Sequence, residues 1–256
     1  RYAANAVDLA AGDLDTLCDR AREHGIAVYA GIIERSAERG GFSLYACLVY
    51  ISPKGRVESA HRKLMPTYEE RLVWSPGDGH GLRVHRLGDF TLGGLNCWEN
   101  WMPLPRAALY GQGENLHVAV WPGSRRNTED ITRFIARESR SFVVSVSGMM
   151  HADLVPDDIP HAGRIREAAS GWLADGGSCV AGPDGQWLLE PQVGEEGRWI
   201  HYQRADAENS PYIKDTFAWL DRCLEYNPTV SADRKKLEDI LRVAPEEICK
   251  RQTNCA

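Results

Sequence analysis

Hydrophobic and polar residues alternate along the chain in blocks that predict an α/β protein. Residues 13–24 repeat apolar side chains at helical spacing, and Gly25 ends the pattern as a helix C-cap does. Short and mostly apolar runs follow, bounded by turn residues, as is typical of strands. We predict helices at residues 13–24, 103–110 and 128–140, and strands at 26–33, 44–51, 56–60, 82–87, 90–96, 115–121, 142–147, 177–180 and 187–190.

The clearest predicted helix is the one at residues 128–140. Asn127 or Thr128 is expected to cap its first turn, where Glu129 and Asp130 suit the helix dipole. Its apolar face is formed by Ile131, Phe134 and Ile135. From about residue 205 the strand pattern fades into polar helical sequence. We therefore predict one domain at residues 1–204 and a peripheral C-terminal extension at 205–256.

Composition and charge exclude several classes of function. The 256 residues are 43% hydrophobic and 26% charged, as in ordinary globular proteins, and no apolar run approaches the ~20 residues of a membrane span. The net charge of −6 disfavours nucleic acid as a partner. No secretory leader is visible, and the seven cysteines form no C-x-x-C pair, so reduced thiols in a cytoplasmic protein are expected.

Common cofactor and metal motifs are missing from the sequence. No glycine-rich segment completes G-x-G-x-x-G or G-x-x-x-x-G-K-[ST], and the eight histidines form no H-E-x-x-H or zinc spacing. We therefore expect neither a cofactor nor a metal ion.

Cys97 is the first candidate catalytic residue. It ends a predicted strand and precedes the polar pair Glu99-Asn100, at a strand-to-helix junction where backbone N–H groups can stabilise a thiolate or an oxyanion. The alternative is a small core side chain, which is what most isolated cysteines on apolar strands are.

Lys63 and Glu70 are the second and third candidates. Lys63 belongs to the run His61-Arg62-Lys63 at the end of a predicted hairpin strand, where a buried ammonium would favour ionisation of a nearby thiol. Glu70, seven residues later, could hold that ammonium in place. The alternatives are a solvated strand end for the cations and a surface position for the glutamate.

Two longer segments resemble the nitrilase family of carbon–nitrogen hydrolases. They are HRKLMPTYEERLVWSPGDG at 61–79 and GGLNCWENWMPLPRAALYGQG at 93–113, and the similarity runs from about residue 21 to about residue 196. The order Cys97-Trp98-Glu99 is similar to the nitrile-hydrolysing branch, since amide-hydrolysing branches tend to carry Tyr or Phe after the cysteine.

The resemblance implies a fold, a catalytic set and a reaction. The fold is a four-layer α-β-β-α sandwich, and the catalytic set is a Glu-Lys-Cys triad in which Cys97 is the nucleophile, Lys63 the lysine and Glu70 a second glutamate that positions the lysine. The reaction converts an organic nitrile to the carboxylate and ammonia through a Cys97 thioimidate and thioester. No cofactor is implied, and a homo-oligomer, dimer or larger, is usual.

The chain also departs from the family pattern. The triad glutamate is expected in a Phe-Pro-Glu segment of an early strand, and no such segment occurs in these residues. We therefore expect an N-terminally truncated domain that has lost its first strand and helix. Glu34, in a Gly-Ile-x-Glu-Arg context, matches a later family position and is expected to be a structural ion-pair residue.

Several alternatives remain open from the sequence. An amidase of the same superfamily is the nearest one, and an inactive, assembly-competent subunit without the general base is another. Trp98 and Trp121 are candidate pocket residues for a small nitrile or amide, although tryptophans more often lie in cores and interfaces.

Overall fold

A computed structural model describes residues 2–36, 43–169 and 171–194 of the chain. With the exception of residues 24–26, these residues belong to one compact unit. The predicted extension at 205–256 lies outside the described residues, so the division into domain and extension stays a prediction. Within the described part, no helix is long and apolar enough to cross a membrane.

Ten strands and four α-helices form the described unit. The strands are β1 Val28–Arg35, β2 Leu44–Ile51, β3 Val57–Arg62, β4 His85–Leu87, β5 Phe90–Asn96, β6 Leu116–Trp121, β7 Phe142–Ser147, β8 Met149–His151, β9 Trp172–Ala181 and β10 Trp187–Val193. The helices are α1 Asp15–His24, α2 Pro103–Tyr110, α3 Arg125–Ser139 and α4 Ala162–Ala168. Short 3₁₀ turns occur at Tyr2–Ala4, Tyr68–Leu72, Cys97–Trp101 and Ala152–Leu154.

The strands pair into two sheets. The first sheet is antiparallel with the order β1-β2-β3. The second has the order β10-β9-β7-β6-β5-β4, with β8 beside β9. Its centre, β5-β6-β7, is parallel and its remaining pairs are antiparallel. This mixed pairing agrees with the predicted α/β class.

The two sheets face each other closely at Gly94 of β5. A Cβ atom at this glycine would lie 3.2 Å from Cδ2 of Leu48 in β2 and 3.3 Å from Cε1 of Tyr29 in β1. A larger residue would therefore push the sheets apart. Because side chains alternate along a strand, Ala119 of β6 points away from this interface, since its neighbour Val118 pairs with Gly94.

A helix packs against each of the two sheets. α3 buries Ile131 and Ile135 against Ala119, Val143 and Ala181 of the second sheet, and this cluster is fully buried. On the first sheet, α1 lies over the β2–β3 turn, where the Cys18 carbonyl approaches Gly55 so closely that no Cβ would fit. The layers are therefore helix, sheet, sheet and helix, and the predicted α-β-β-α sandwich is confirmed.

The start of α3 differs from the prediction. The helix begins at Arg125, with Ser124 at the N-cap and no side-chain cap. Thr128 lies inside the helix, where its hydroxyl donates to the Gly177 carbonyl at 2.6 Å and ties α3 to β9. Phe134, expected on the buried face, is 49% exposed. The Thr128 hydroxyl, which was predicted to cap the helix, instead makes a tertiary hydrogen bond to β9.

Candidate active site

Cys97 lies at the carboxyl end of β5, as the first residue of the 3₁₀ turn Cys97–Trp101. Its φ angle is 59°, in the left-handed region that residues other than glycine rarely adopt. Such a conformation persists only where surrounding contacts hold it, and it turns the side chain out of the strand direction. The predicted strand-to-helix junction is therefore present, with a strained cysteine at its corner.

Asn100 holds this turn from the inside. Its amide nitrogen donates to the carbonyl of Cys97 at 2.9 Å and to that of Leu95 at 3.2 Å. Its amide oxygen lies 2.9 Å from Nε2 of His117, whose Nδ1 lies 2.9 Å from Glu114. Asn100 and His117 are completely buried and Glu114 almost so. A buried polar chain therefore supports the backbone that carries the thiol.

Lys63 is buried directly after β3, with 1% of its surface exposed. Its Nζ donates to Oε2 of Glu70 at 2.6 Å, and the same oxygen accepts the Thr67 N–H at 2.6 Å. A buried ammonium requires such a partner, because an unpaired charge is strongly disfavoured away from water. The alternative of a solvated strand end is therefore wrong for Lys63, and Glu70 pairs with it.

Arg62 takes the opposite face of the first sheet. Its guanidinium donates from Nε and Nη2 to both oxygens of Glu34, at 2.7 and 2.6 Å, and stacks over Tyr45 at 4.6 Å. Neighbouring residues at a strand end point to opposite faces, so Arg62 and Lys63 have separate partners. The expectation that Glu34 is a structural ion-pair residue is confirmed.

Cys97 and Lys63 interact electrostatically. Burial raises the pKa of the Cys97 thiol above its ordinary value, while the charge of Lys63 and the backbone N–H of Trp98 lower it and Glu70 raises it. The net direction of the pKa shift is upward, which favours the protonated thiol. A base must therefore accept this proton when the sulfur reacts as a nucleophile.

Glu99 is a site residue that the sequence did not single out. It is completely buried and accepts the Leu64 N–H at 2.7 Å and the Asn96 N–H at 3.3 Å. Its carboxylate oxygens lie 3.1 and 3.2 Å from Nε2 of His61. A glutamate beside a cysteine in a polar turn is usually solvent-exposed, so only the tertiary partners reveal this position.

The two candidate pocket tryptophans are placed differently. Trp98 is 50% exposed beside Cys97, and its ring centroid lies 6.0 Å from that of Trp101. Trp121 is buried in the α3 cluster, where its indole N–H donates to Ser145 at 3.3 Å. The pocket prediction for Trp121 is not supported by this placement, because its side chain packs in the core behind the second sheet. Trp98 remains a candidate for substrate contact.

No metal-binding group is found among the described residues. Their His, Cys, Asp and Glu side chains form no cluster of three that could hold an ion. Their four cysteines, Cys18, Cys47, Cys97 and Cys179, are all free thiols. The expectation that neither a cofactor nor a metal is required stays a prediction.

Comparison with known proteins places this site in a family. Residues 1–208 match the profile of the family described as carbon-nitrogen hydrolase. The chain belongs to the carbon–nitrogen hydrolase family. Similar curated proteins carry the name nitrilase. The chain is 37% identical over 198 residues to "Nitrilase 2" of an unknown prokaryotic organism and 34% identical over 195 residues to an "Aliphatic nitrilase" of Sinorhizobium fredii.

This carbon–nitrogen hydrolase chain covers only part of those relatives. The matches take in 77% and 76% of the chain but 60% and 61% of the two nitrilases. Solved structures agree on the fold. A carbon-nitrogen hydrolase from Helicobacter pylori matches with a TM-score of 0.54 at 19% identity over 77% of this chain and 71% of its own. An amidase from Nesterenkonia sp. matches with a TM-score of 0.54 at 21% identity over 72% and 64%.

Proposed function

We propose that the protein is a thiol nitrilase that converts an organic nitrile to its carboxylate and ammonia. The observation that carries the proposal is the strained, partly buried Cys97, whose pKa is lowered by the buried ammonium of Lys63. Nitrilase relatives at up to 37% identity support the choice of nitriles. The amidase structures, at 21% identity, support the fold alone.

The first half of the proposed reaction forms a thioimidate. The Cys97 sulfur attacks the nitrile carbon, its proton is taken up by a base, and the nitrogen gains a proton as the C≡N bond becomes C=N. Negative charge develops on that nitrogen during attack. The Lys63 ammonium and the Trp98 N–H, which both lower the pKa of Cys97, suit that charge as donors.

The second half releases both products. Water adds to the thioimidate carbon and ammonia leaves, which yields a thioester. A second water then hydrolyses the C–S bond, so the carboxylate departs and the thiol is restored. Each water must lose a proton as it attacks, so a carboxylate base is needed. Glu70 is bound to Lys63 and Thr67 and acts in our proposal as the carboxylate that positions the lysine.

The test is ammonia release from matched nitrile and amide substrates. It should be run on the 256-residue chain and on a version extended with the upstream coding sequence, because the resemblance expects a Phe-Pro-Glu carboxylate that these residues lack. We expect nitrile turnover to exceed amide turnover, and Cys97→Ala to lower kcat at least about 10⁴-fold. Faster amide turnover would support an amidase, and full activity in Cys97→Ala would end the proposal.

A further inference from the structure

The carboxylate of Glu99 links the two sides of the candidate active site. It belongs to the turn after β5, two residues beyond Cys97, but its shortest hydrogen bond comes from Leu64, the residue after Lys63 in the segment that follows β3 of the first sheet. His61, two residues before Lys63, supplies a second contact through Nε2. His61 and Leu64, one on each side of Lys63 in the chain, therefore both bind the carboxylate of Glu99 in the Cys97 turn.

The carboxylate of Glu99 is buried, and a buried charge is energetically unfavourable unless other groups bind it. Glu99 has no exposed surface, and the three donors recorded on it are two backbone N–H groups and an imidazole. A buried carboxylate adds little net stability compared with an apolar side chain of similar volume. What it does provide is geometry, because its acceptor lone pairs fix the positions of three donors from two chain segments.

We propose that Glu99, oriented by His61, is a positioning residue that sets the separation of the Cys97 thiol and the Lys63 ammonium. This inference rests on the proposed role of Cys97 as the nucleophile. The Asn96 N–H bond holds the start of the Cys97 turn, and the Leu64 N–H bond holds the end of the Lys63 segment. Without the carboxylate, the hydrogen bonds that hold the two segments to each other through Glu99 are lost.

The electrostatic consequence follows from that alignment. Lys63 lowers the pKa of Cys97, and the strength of this interaction depends steeply on the distance between the charges in a buried site. Among the described residues, the titratable groups that act on the thiol are Lys63, which favours the thiolate, and Glu70, which opposes it. If Lys63 were displaced, burial and Glu70 would raise the pKa of Cys97 further, and the thiol would be harder to ionise.

The experiment measures alkylation of Cys97 by iodoacetamide in the full chain from pH 7 to pH 10. Mass spectrometry of the peptide that contains Cys97 separates this thiol from the six other cysteines. We expect Glu99→Gln to slow alkylation at pH 8 about tenfold and to move the pH profile upward, since a tenfold loss of thiolate corresponds to one pH unit. Urea unfolding of the same sample shows whether the variant is folded.

Glu34→Gln is the matched control. Glu34 is also a buried glutamate of the same domain, but its partner is Arg62 on the outer face of the first sheet. We expect this variant to be less stable and to keep the wild-type pH profile of Cys97 alkylation. A profile that moves equally in Glu34→Gln would overturn the proposal, because it would show a general effect of lost buried charge.

His61 variants keep the proposal testable if Glu99→Gln does not fold. His61→Gln retains a donor near the position of Nε2, and His61→Ala does not. We expect slower alkylation in His61→Ala and near wild-type rates in His61→Gln. Unchanged profiles in Glu99→Gln and His61→Ala would contradict the positioning role. If Lys63→Met also leaves alkylation unchanged, the Cys97–Lys63 pairing of the proposed function fails as well; if only Lys63→Met slows it, the failure is confined to Glu99.

Discussion

Two equally buried regions of this protein are built from opposite kinds of side chains. Behind the second sheet, α3 packs Ile131, Ile135 and Ala136 against Val143 and its neighbours, with no charged residue in the cluster. Around the Cys97 turn, a region of similar burial holds three ionisable side chains, those of Glu99, His61 and Lys63.

The apolar region contributes mainly to the stability of the fold, whereas the charged region is suited to a chemical role. Apolar burial in the α3 cluster contributes about 25 cal/mol per Å² removed from water. Buried ions lose their hydration, and the attraction between paired ions offsets this desolvation free energy only when the geometry is very good. The charged region is therefore poorly explained by stability, and it suits the proposed reaction at the Cys97 thiol. Substitutions in the two regions should affect different measurements.

The largest expected effect is on catalysis in the charged region. Lys63→Met keeps the length and apolar stem of Lys63 while it removes the ammonium. We expect kcat for the nitrile to fall about 10²–10³-fold, since a donor to the developing charge is lost. The free energy of unfolding should change little, because Glu70 is one-third exposed and can be hydrated. Steady-state kinetics measure the change in kcat, and urea unfolding measures the change in stability. A Lys63→Met variant that is destabilised but active would contradict both expectations.

The next effect is on stability in the α3 cluster. Ile135→Ala removes a completely buried side chain that packs under the second sheet. We expect the free energy of unfolding to fall by about 2–5 kcal/mol from lost transfer and a residual cavity, with Ile135→Val closer to 1 kcal/mol. Below the unfolding transition, Cys97 alkylation should remain at the wild-type rate. Selective loss of alkylation with unchanged stability would break the comparison.

A smaller effect concerns the pH dependence of the thiol itself. Because the pKa of Cys97 is raised by burial, wild-type alkylation should keep increasing with pH beyond the ordinary thiol range near 8.5. The gain should approach tenfold per pH unit below that pKa. Alkylation rates measured against pH by stopped flow or mass spectrometry test whether the pKa of Cys97 is raised or lowered. A plateau already reached at pH 7 would show that Lys63 outweighs burial.

The smallest effect is expected at an exposed ion pair on α3. Arg125 and Glu129 pair at 2.6 Å but both side chains are largely exposed. Water and salt screen such a pair, so Glu129→Gln should leave the urea unfolding transition essentially where it is in the wild type. This variant calibrates the urea measurements, because a large shift here would mean that unfolding does not report the buried cluster.

Sequence patterns placed most strands and helices within a few residues. The predicted strands at 44–51 and 90–96 coincide with β2 and β5, and the predicted helix at 103–110 coincides with α2. Short or tertiary-determined elements were not predicted, namely β8, α4 and the four 3₁₀ turns. Such elements carry too few residues for a period to show, and their hydrogen bonds depend on distant partners.

The candidate site was predicted in part. Cys97, Lys63 and Glu70 were found because each lies in a distinctive segment; the structure pairs Lys63 with Glu70, and the Lys63 charge lowers the pKa of Cys97. The predicted location of Trp121 beside them differs from its core position. Glu99 and Asn100 were visible only as polar neighbours of the cysteine, and their function as hydrogen-bonding centres depends on His61 and His117.

The amino-acid order alone determined the α/β class, the family and the turn that carries Cys97, because periodicity and segment similarity are local properties of a chain. Tertiary structure decided which charges are buried and what they bind. Leu64 and Glu99 are 35 positions apart, one after β3 of the first sheet and the other after β5 of the second, so their hydrogen bond forms only when the two sheets pack together. A hydrogen bond between distant segments leaves no period or motif, and it becomes visible only when the fold excludes water from both partners.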